Sequence, residues 1–558
     1  MKQPSNFAHL TLTILLVSLH VPLSAEDFST KDAHRAPPWL QKGVVYEIFP
    51  RDFSIEGNFN GITERLDELN DLGVNILWLM PIHPIGQKMR KGTLGSPYAV
   101  RDYYGINSDY GTEADLKQLI AAAHKRQLKV IIDVVANHTA WDSVMMQHPE
   151  YYKQDANGKI IPPVPEWTDV AGLNYKNPKL CEEMIQMLKH WIDPAAFDLD
   201  GFRCDVAEQV PTTFWEQARA ELVKVKPDIM MLAEASKPDL LVKAFDIDYS
   251  WPLHSALNEV LLNGAPASQF KRSWEESRQR FPRGSLHLRI SDNHDEPRAV
   301  ARFGIKGALA ASALMFSLDG VPLLYNGMEV GDATESGDPA LFEKLPIFWH
   351  PKGRPPLRDI YRDLIRLRKD NPAFSNDQVV WLHNSDEANL VTLMRLDEKN
   401  EFVTVINFSN RPIVGWVEIT HDKEFQPVKV SGTPESPPTG FPFFRLGGFE
   451  HGDSDSRFRD GPAGHSRCLL LVGPQTRGEV AGRGTDGRTR PFPWGTAARP
   501  LPLVPARERF SKGLRREGRR RDIAGTGSAR GACKGFPRGR RGRHGKPGSP
   551  RAGRDDGA

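Results

Sequence analysis

Between about residues 43 and 330 the chain alternates short runs that are apolar at nearly every position with longer stretches that are apolar at every third or fourth. The short runs fall at 44–49, 74–80, 130–135, 199–204, 229–233, 245–249, 286–290 and 321–325. A strand that is apolar on both faces belongs to a parallel sheet covered on both sides. The stretches between them, such as 61–72, 112–126 and 212–225, have the spacing of amphipathic helices. Thr112 followed by Asp115 forms an N-terminal capping pair for the second. Eight such strand–helix units predict an α/β chain built on a closed (β/α)8 barrel.

Two departures from the alternation mark further domains. About 40 residues, 139–178, separate the third strand run from the next helix, and they contain Pro162, Pro163, Pro165 and the turn pair Asn157-Gly158. A connection that long is uncommon without a function, so it predicts a small domain walling one side of the barrel mouth. After a helix at 358–369, Asn371-Pro372 breaks the pattern. Short alternating runs follow at 379–382, 390–395, 402–407 and 414–419, with a last one at 467–472. They predict a C-terminal antiparallel β-sandwich domain over 373–473, behind a catalytic unit at 26–372.

Composition changes this picture at the two ends. The 558 residues are 39% hydrophobic and 26% charged, ordinary for a globular protein. The net charge of +3 averages two unlike regions: residues 471–558 hold 22 Lys+Arg against 7 Asp+Glu, a net of +15, which leaves 51 basic and 63 acidic residues, a net of −12, for the rest. The stretch 474–558 is rich in Gly, Arg and Pro without apolar periodicity, so it reads as a disordered tail or an out-of-frame translation rather than a nucleic-acid arm. Residues 1–25 read as a secretory signal: Lys2, an apolar run from Leu10 to Leu19, and small residues at Ser24-Ala25. That run is shorter than the ~20 residues a membrane span needs, and no later segment reads as a span. Export to the periplasm or the medium is expected. The four cysteines, Cys181, Cys204, Cys468 and Cys533, have no metal spacing.

The candidate chemistry lies at the ends of the strand runs. Four blocks close them: DVVANH at 133–138, GFRCD at 201–205, LAEA at 232–235 and DNHD at 292–295. Arg203 and Asp205 alternate on one strand face and so point the same way, into the barrel mouth. The cation favours an ionised, oriented carboxylate at Asp205. Glu234 ends the next strand, ~4.8 Å away, which suits the ~5–5.5 Å carboxylate pair of a retaining glycosidase. Its Leu-Ala and Ala neighbours predict an apolar setting that raises its pKa and suits a general acid. Asp295, His294 and His138 are placed to bind sugar hydroxyls.

These blocks resemble the four signature blocks of the α-amylase family, glycoside hydrolase family 13. VVYEIFPRDF at 44–53, GNFNGITERLDEL at 57–69, SPYAVRDYYGINSDYGT at 96–112 and GVPLLYNGME at 320–329 extend the likeness. The resemblance covers roughly 43–410. It implies Asp205 as nucleophile, Glu234 as acid/base and Asp295 as transition-state stabiliser. It also implies Arg203, His138 and His294 in the −1 sugar subsite, Tyr98 as a stacking platform there, and Asp102 along that pocket. The substrate it implies is an α-glucan or maltooligosaccharide, cleaved by hydrolysis or passed to another sugar by transfer or isomerisation. A silent carbohydrate-binding barrel is disfavoured, because all three acids are present. Two departures bear on metal and substrate. Asn137 matches a familiar calcium-ligand position, but Glu208-Gln209 stands where many relatives carry Lys-His, whose His lends a carbonyl to calcium. The resemblance therefore leaves Ca2+ open. The stretch 170–174 reads VAGLN and leaves the subgroup open as well.

Overall fold

The computed structural model of the chain describes residues 26–334, 338–350, 357–413 and 415–419, and strand segments at 426–427, 445–447 and 465–471. The expected signal at 1–25 and the basic tail at 474–558 lie outside the described residues. The chain forms, in order, β1 (Val45–Ile48), β2 (Ile76–Leu79), β3 (Lys129–Val134), β4 (His138–Ala140), β5 (Val170–Gly172), β6 (Gly201–Cys204), β7 (Met230–Ala233), β8 (Ile247–Tyr249), β9 (Leu286–Arg289) and β10 (Val321–Tyr325). All but β4 and β5 are parallel and close into one barrel, in the ring order β1, β2, β3, β6, β7, β8, β9, β10 and back to β1. Each of the eight apolar runs supplies one barrel strand.

The strands are apolar on both faces because both faces are covered. Val45, Trp78, Ile131, Leu232 and Leu288 point inward and fill the barrel. Their neighbours Tyr46, Leu77, Ile132, Phe202 and Met231 point outward into the core shared with the helices. The helix Glu113–Lys125 begins at Thr112 with a complete capping box, Thr112 and Asp115 each bonding the other's backbone N–H. The helix expected over 61–72 is instead two, Phe59–Thr63 and Leu66–Leu72, separated near Arg65, and Asn58 caps the first. The helix Thr212–Val225 follows the expected bounds.

In the 139–178 excursion β4 pairs antiparallel with β5, His138 opposite Gly172. Beyond the barrel, the helix Arg358–Asp370 leads to β11 (Val379–Trp381), β12 (Leu390–Leu396) and β13 (Asn400–Asn407), an antiparallel ladder. β14 (Trp416–Glu418), β15 (Gln426–Pro427), β16 (Arg445–Gly447) and β17 (His465–Leu471) follow. β17 joins β13 in parallel, so this sheet is mixed rather than wholly antiparallel. Val403 and Val405 pack with Val417 and Ile419, which makes the domain two-layered. Buried Arg395 reaches from β12 to the Ser317 carbonyl, 3.0 Å away, tying this domain to the barrel helices.

One helix departs from the expectation that no later segment is apolar enough to span a membrane. Ala299–Ser317 passes by length and composition. Half of it is buried in the protein, and Ser312 hydrogen-bonds Tyr361 at 3.0 Å, which is how a core helix behaves. Cys204 is a free, fully buried thiol that packs as a small apolar side chain.

Candidate active site

The barrel register sets the site. Asp133 on β3 and Arg203 on β6 are direct partners on neighbouring strands, and both side chains are fully buried. Arg203 Nη1 donates to Asp133 Oδ1 and Oδ2 at 3.0 and 2.9 Å. It also donates to Asp205 Oδ1 at 3.2 Å, as the shared strand face predicts. Its Nη2 stands 3.0 Å from Oε2 of Glu234, the residue just after β7, an ion-pair contact outside hydrogen-bonding angles. Nε donates to the Tyr249 hydroxyl at 3.3 Å, and the guanidinium lies 5.1 Å from the centre of the Trp78 ring. One cation thus contacts three carboxylates. Burial alone would lower its pKa, but Asp133 and Glu234 outweigh burial and raise it well above its usual value.

The chain after β6 stores strain at this point. Val206, immediately after Asp205, has φ 38° and ψ 45°, a left-handed conformation that a β-branched residue rarely adopts. That conformation aims its N–H at Glu234 Oε2, 2.7 Å away. Strain of order 1–3 kcal/mol is held only where surrounding structure over-determines it. The setting of Glu234 is therefore polar, not the apolar one its sequence neighbours predict.

Asp205 also differs from the sequence expectation. Burial pushes its carboxyl well above the usual range, and the charges of Glu234, Asp133 and Asp295 add to the rise. Arg203 pulls the other way but does not prevail. The one cation adjacent in sequence is outweighed by burial and by the anions that the closed barrel gathers around Asp205. Asp133 is likewise pushed up, to about 6, by burial.

On the opposite wall, Tyr98 and His294 stack with ring centres 5.5 Å apart and 21° between planes. His294 Nδ1 is bonded to Glu47 on β1, its Nε2 lies 2.7 Å from the Tyr98 hydroxyl, and that hydroxyl donates to Asp133 Oδ2 at 3.1 Å. Asp295 Oδ2 is 3.2 Å from His294 Nε2. Burial would lower the His294 pKa, but Asp295 and Glu47 overcome it and raise it to about 9. The imidazolium form has two N–H donors, matching both contacts. A histidine raised from 6.5 to about 9 stabilises the fold fully below its unfolded pKa, and that contribution is lost as pH climbs through the folded value. It amounts to about 3 kcal/mol. Calorimetric Tm should accordingly fall between pH 6.5 and 9.5, and the fall should flatten in His294→Asn. An equal slope in that variant would assign the loss to other groups.

His138 lies in the same region, buried, with its ring edge-on to Trp167 at 5.5 Å. Burial lowers its pKa to about 4, so it is neutral and able to accept. The structure thus joins Asp205, Glu234, Asp295, Arg203, His294 and Tyr98 in one network, with His138 beside it. Asp102 is not joined: its Oδ1 accepts from the Tyr104 N–H at 3.0 Å and closes a local turn. Glu47, Asp133 and Tyr249 belong to the network although sequence reasoning did not single them out. For Glu47 and Asp133 the available signal was an acid inside an otherwise apolar strand run, since a buried charge requires a partner.

Asn137 Nδ2 donates to Gln209 Oε1 at 3.1 Å. Among the described residues no group of three or more His, Cys, Asp and Glu converges as a metal cage. Ca2+ takes six to eight oxygen ligands, backbone and amide carbonyls among them. Here one amide bonds the other directly.

Comparison with known proteins agrees with this geometry. The family model described as the alpha amylase catalytic domain matches residues 26–158 and 166–371. The α-amylase MalA of Haloarcula japonica is 29% identical over 408 residues, 70% of this chain and 58% of that protein, so this chain spans little more than half the length of that relative. The crystal structure of a noncanonic maltogenic α-amylase, AmyB from Thermotoga neapolitana, is 33% identical, with a TM-score of 0.62 over 66% of this chain and 86% of that one. An α-amylase structure from Lactobacillus plantarum is 31% identical, with a TM-score of 0.59 over 64% and 86%. The barrel, the network at its mouth and these matches together place the chain in the α-amylase family.

Proposed function

We propose that the chain is a retaining glycoside hydrolase that cleaves α-1,4-glucosidic bonds of starch-derived glucans or maltooligosaccharides. The observation that carries this reading is the single guanidinium of Arg203 contacting both Asp205 and Glu234. Asp205 lies 3.2 Å from Nη1 and Glu234 3.0 Å from Nη2 of that one cation, which supports reading them as the carboxyl pair of a double displacement. The names of the relatives, α-amylase and maltogenic α-amylase, support the substrate class.

In the proposed reaction the ionised Asp205 carboxylate, paired with Arg203, attacks the anomeric carbon as the carbon–oxygen bond to the leaving sugar breaks. Its electron pair goes to the glycosidic oxygen, which takes a proton from Glu234. Glu234 Oε2 already accepts from Val206 N–H and faces Arg203, so the proton is carried on Oε1. Water then gives a proton back to Glu234 and attacks the anomeric carbon, which frees Asp205 and keeps the α configuration. Asp295 and the charged His294 hold hydroxyls of the reacting sugar, with the Tyr98 ring as its platform.

Proton NMR of the first products from maltotriose should show the α anomer appearing before mutarotation. Initial β anomer would refute a retaining mechanism. The same experiment at high maltose separates hydrolysis from transfer, because longer or isomerised products as the main yield would identify a transferase.

A further inference from the structure

The segment from Ile85 to Val100, which follows β2, leaves the barrel and returns as a closed excursion. Ile85 and Val100 form an antiparallel bridge at its base. One side is fastened to the 139–178 domain: Gln87 N–H donates to Asp142 Oδ2 at 3.0 Å, and Lys91 Nζ pairs with Asp169 Oδ1 at 2.9 Å. The Asp169 carboxylate is only 7% exposed and the Lys91 side chain 38%, so this pair is half-buried. The other side is fastened to the chain after β10. Leu94 N–H donates to the Phe342 carbonyl at 3.0 Å, and Thr93 N–H to Glu343 Oε1 at 2.9 Å. Gly92 passes so close that a Cβ there would lie 2.3 Å from the Phe342 side chain, and its φ of +63° favours glycine. At the inner edge of the same excursion, Tyr98 reaches the network.

The ring order tells which end of the cleft this wall occupies. An acid protonates the leaving oxygen, so the leaving chain lies over the strand that carries the acid. That strand is β7. β2 sits across the ring from β7 and β8, and the excursion spans from the β10 side to the β3 side. The doubly anchored chain therefore runs along the arc opposite the acid. We infer that the 85–100 excursion, held by Lys91–Asp169 and Thr93–Glu343, ends the cleft on the glycone side and makes the enzyme act on non-reducing chain ends, releasing one short product size. Lys91 and Glu343 are specificity-determining positioning residues, and the inference rests on the hydrolase reading above.

The test uses the full chain and maltoheptaose labelled at the reducing end, with and without an ethylidene block at the non-reducing end. The wild type should shorten the unblocked labelled sugar stepwise. It should cleave the blocked one more slowly by about tenfold or more, the scale on which a closed pocket rejects added bulk. Replacing residues 88–93 by two glycines, or Lys91→Ala with Glu343→Ala if that chain does not fold, should narrow the gap and give labelled fragments of mixed length. Mixed-length fragments from the wild type at early times would overturn the wall, as would an unchanged product ladder in the folded variants. Absence of cleavage of either sugar would instead sink the hydrolase reading, and the wall with it.

Discussion

Asp205→Asn should remove hydrolysis almost completely and at the same time make the protein more stable. The loss should be on the order of 10^4-fold or more in kcat/KM, as for other nucleophile deletions. The stability gain, about 1 kcal/mol, follows from the crowding of acids. Burial and the neighbouring Glu234, Asp133 and Asp295 already oppose charge on Asp205. An amide at that position keeps an oxygen for Arg203 Nη1 and removes one buried anion from the group. Initial rates on maltotriose and calorimetric Tm on the same preparation check both halves. Activity within tenfold of the wild type would place the nucleophile elsewhere. A lowered Tm would mean that the Asp205 carboxylate helps to hold the fold together.

Arg203→Lys should be the most damaging conservative change in the molecule. Its guanidinium is fully buried, bonds both oxygens of Asp133, and contacts Asp205, Glu234 and Tyr249. Lysine has one compact charged head and cannot meet three carboxylates in a plane. Breaking one side of a buried ion group leaves anions without their partner, typically at a cost of about 3–5 kcal/mol. We expect Tm to drop by many degrees and activity to fall with it. Combining this change with Asp205→Asn should cost less stability than Arg203→Lys alone, because one of the stranded anions is gone. Urea denaturation of the wild type, both single variants and the double variant measures this coupling. A double variant less stable than Arg203→Lys would refute the account of competing acids.

Much of the fold was legible before the structure. The eight apolar runs map onto eight barrel strands because a strand covered on both faces has no polar side to show. The capping box at Thr112 was legible for a similar reason, since capping is chemistry within one turn. The break near Arg65 was not, because the 3.6-residue pattern continues across it. The mixed pairing of β17 with β13 was not legible either, because alternation along a strand says nothing about the direction of its neighbour.

For the site, the order of the four blocks and the strand period alone determined that Arg203 and Asp205 share a face and that Asp205, Glu234 and Asp295 meet at one mouth. Tertiary structure decided the electrostatics. Glu47 lies far away in sequence and becomes the partner of His294 only when β1 closes the ring. Glu234 gains a backbone donor only because Val206 is held left-handed. Asp102 turns back on its own loop instead of joining the network. Strand periodicity is a local property, set by which face of one segment meets the core. The protonation of a buried acid depends on every charge within several ångströms, and only the closed barrel determines which charges those are.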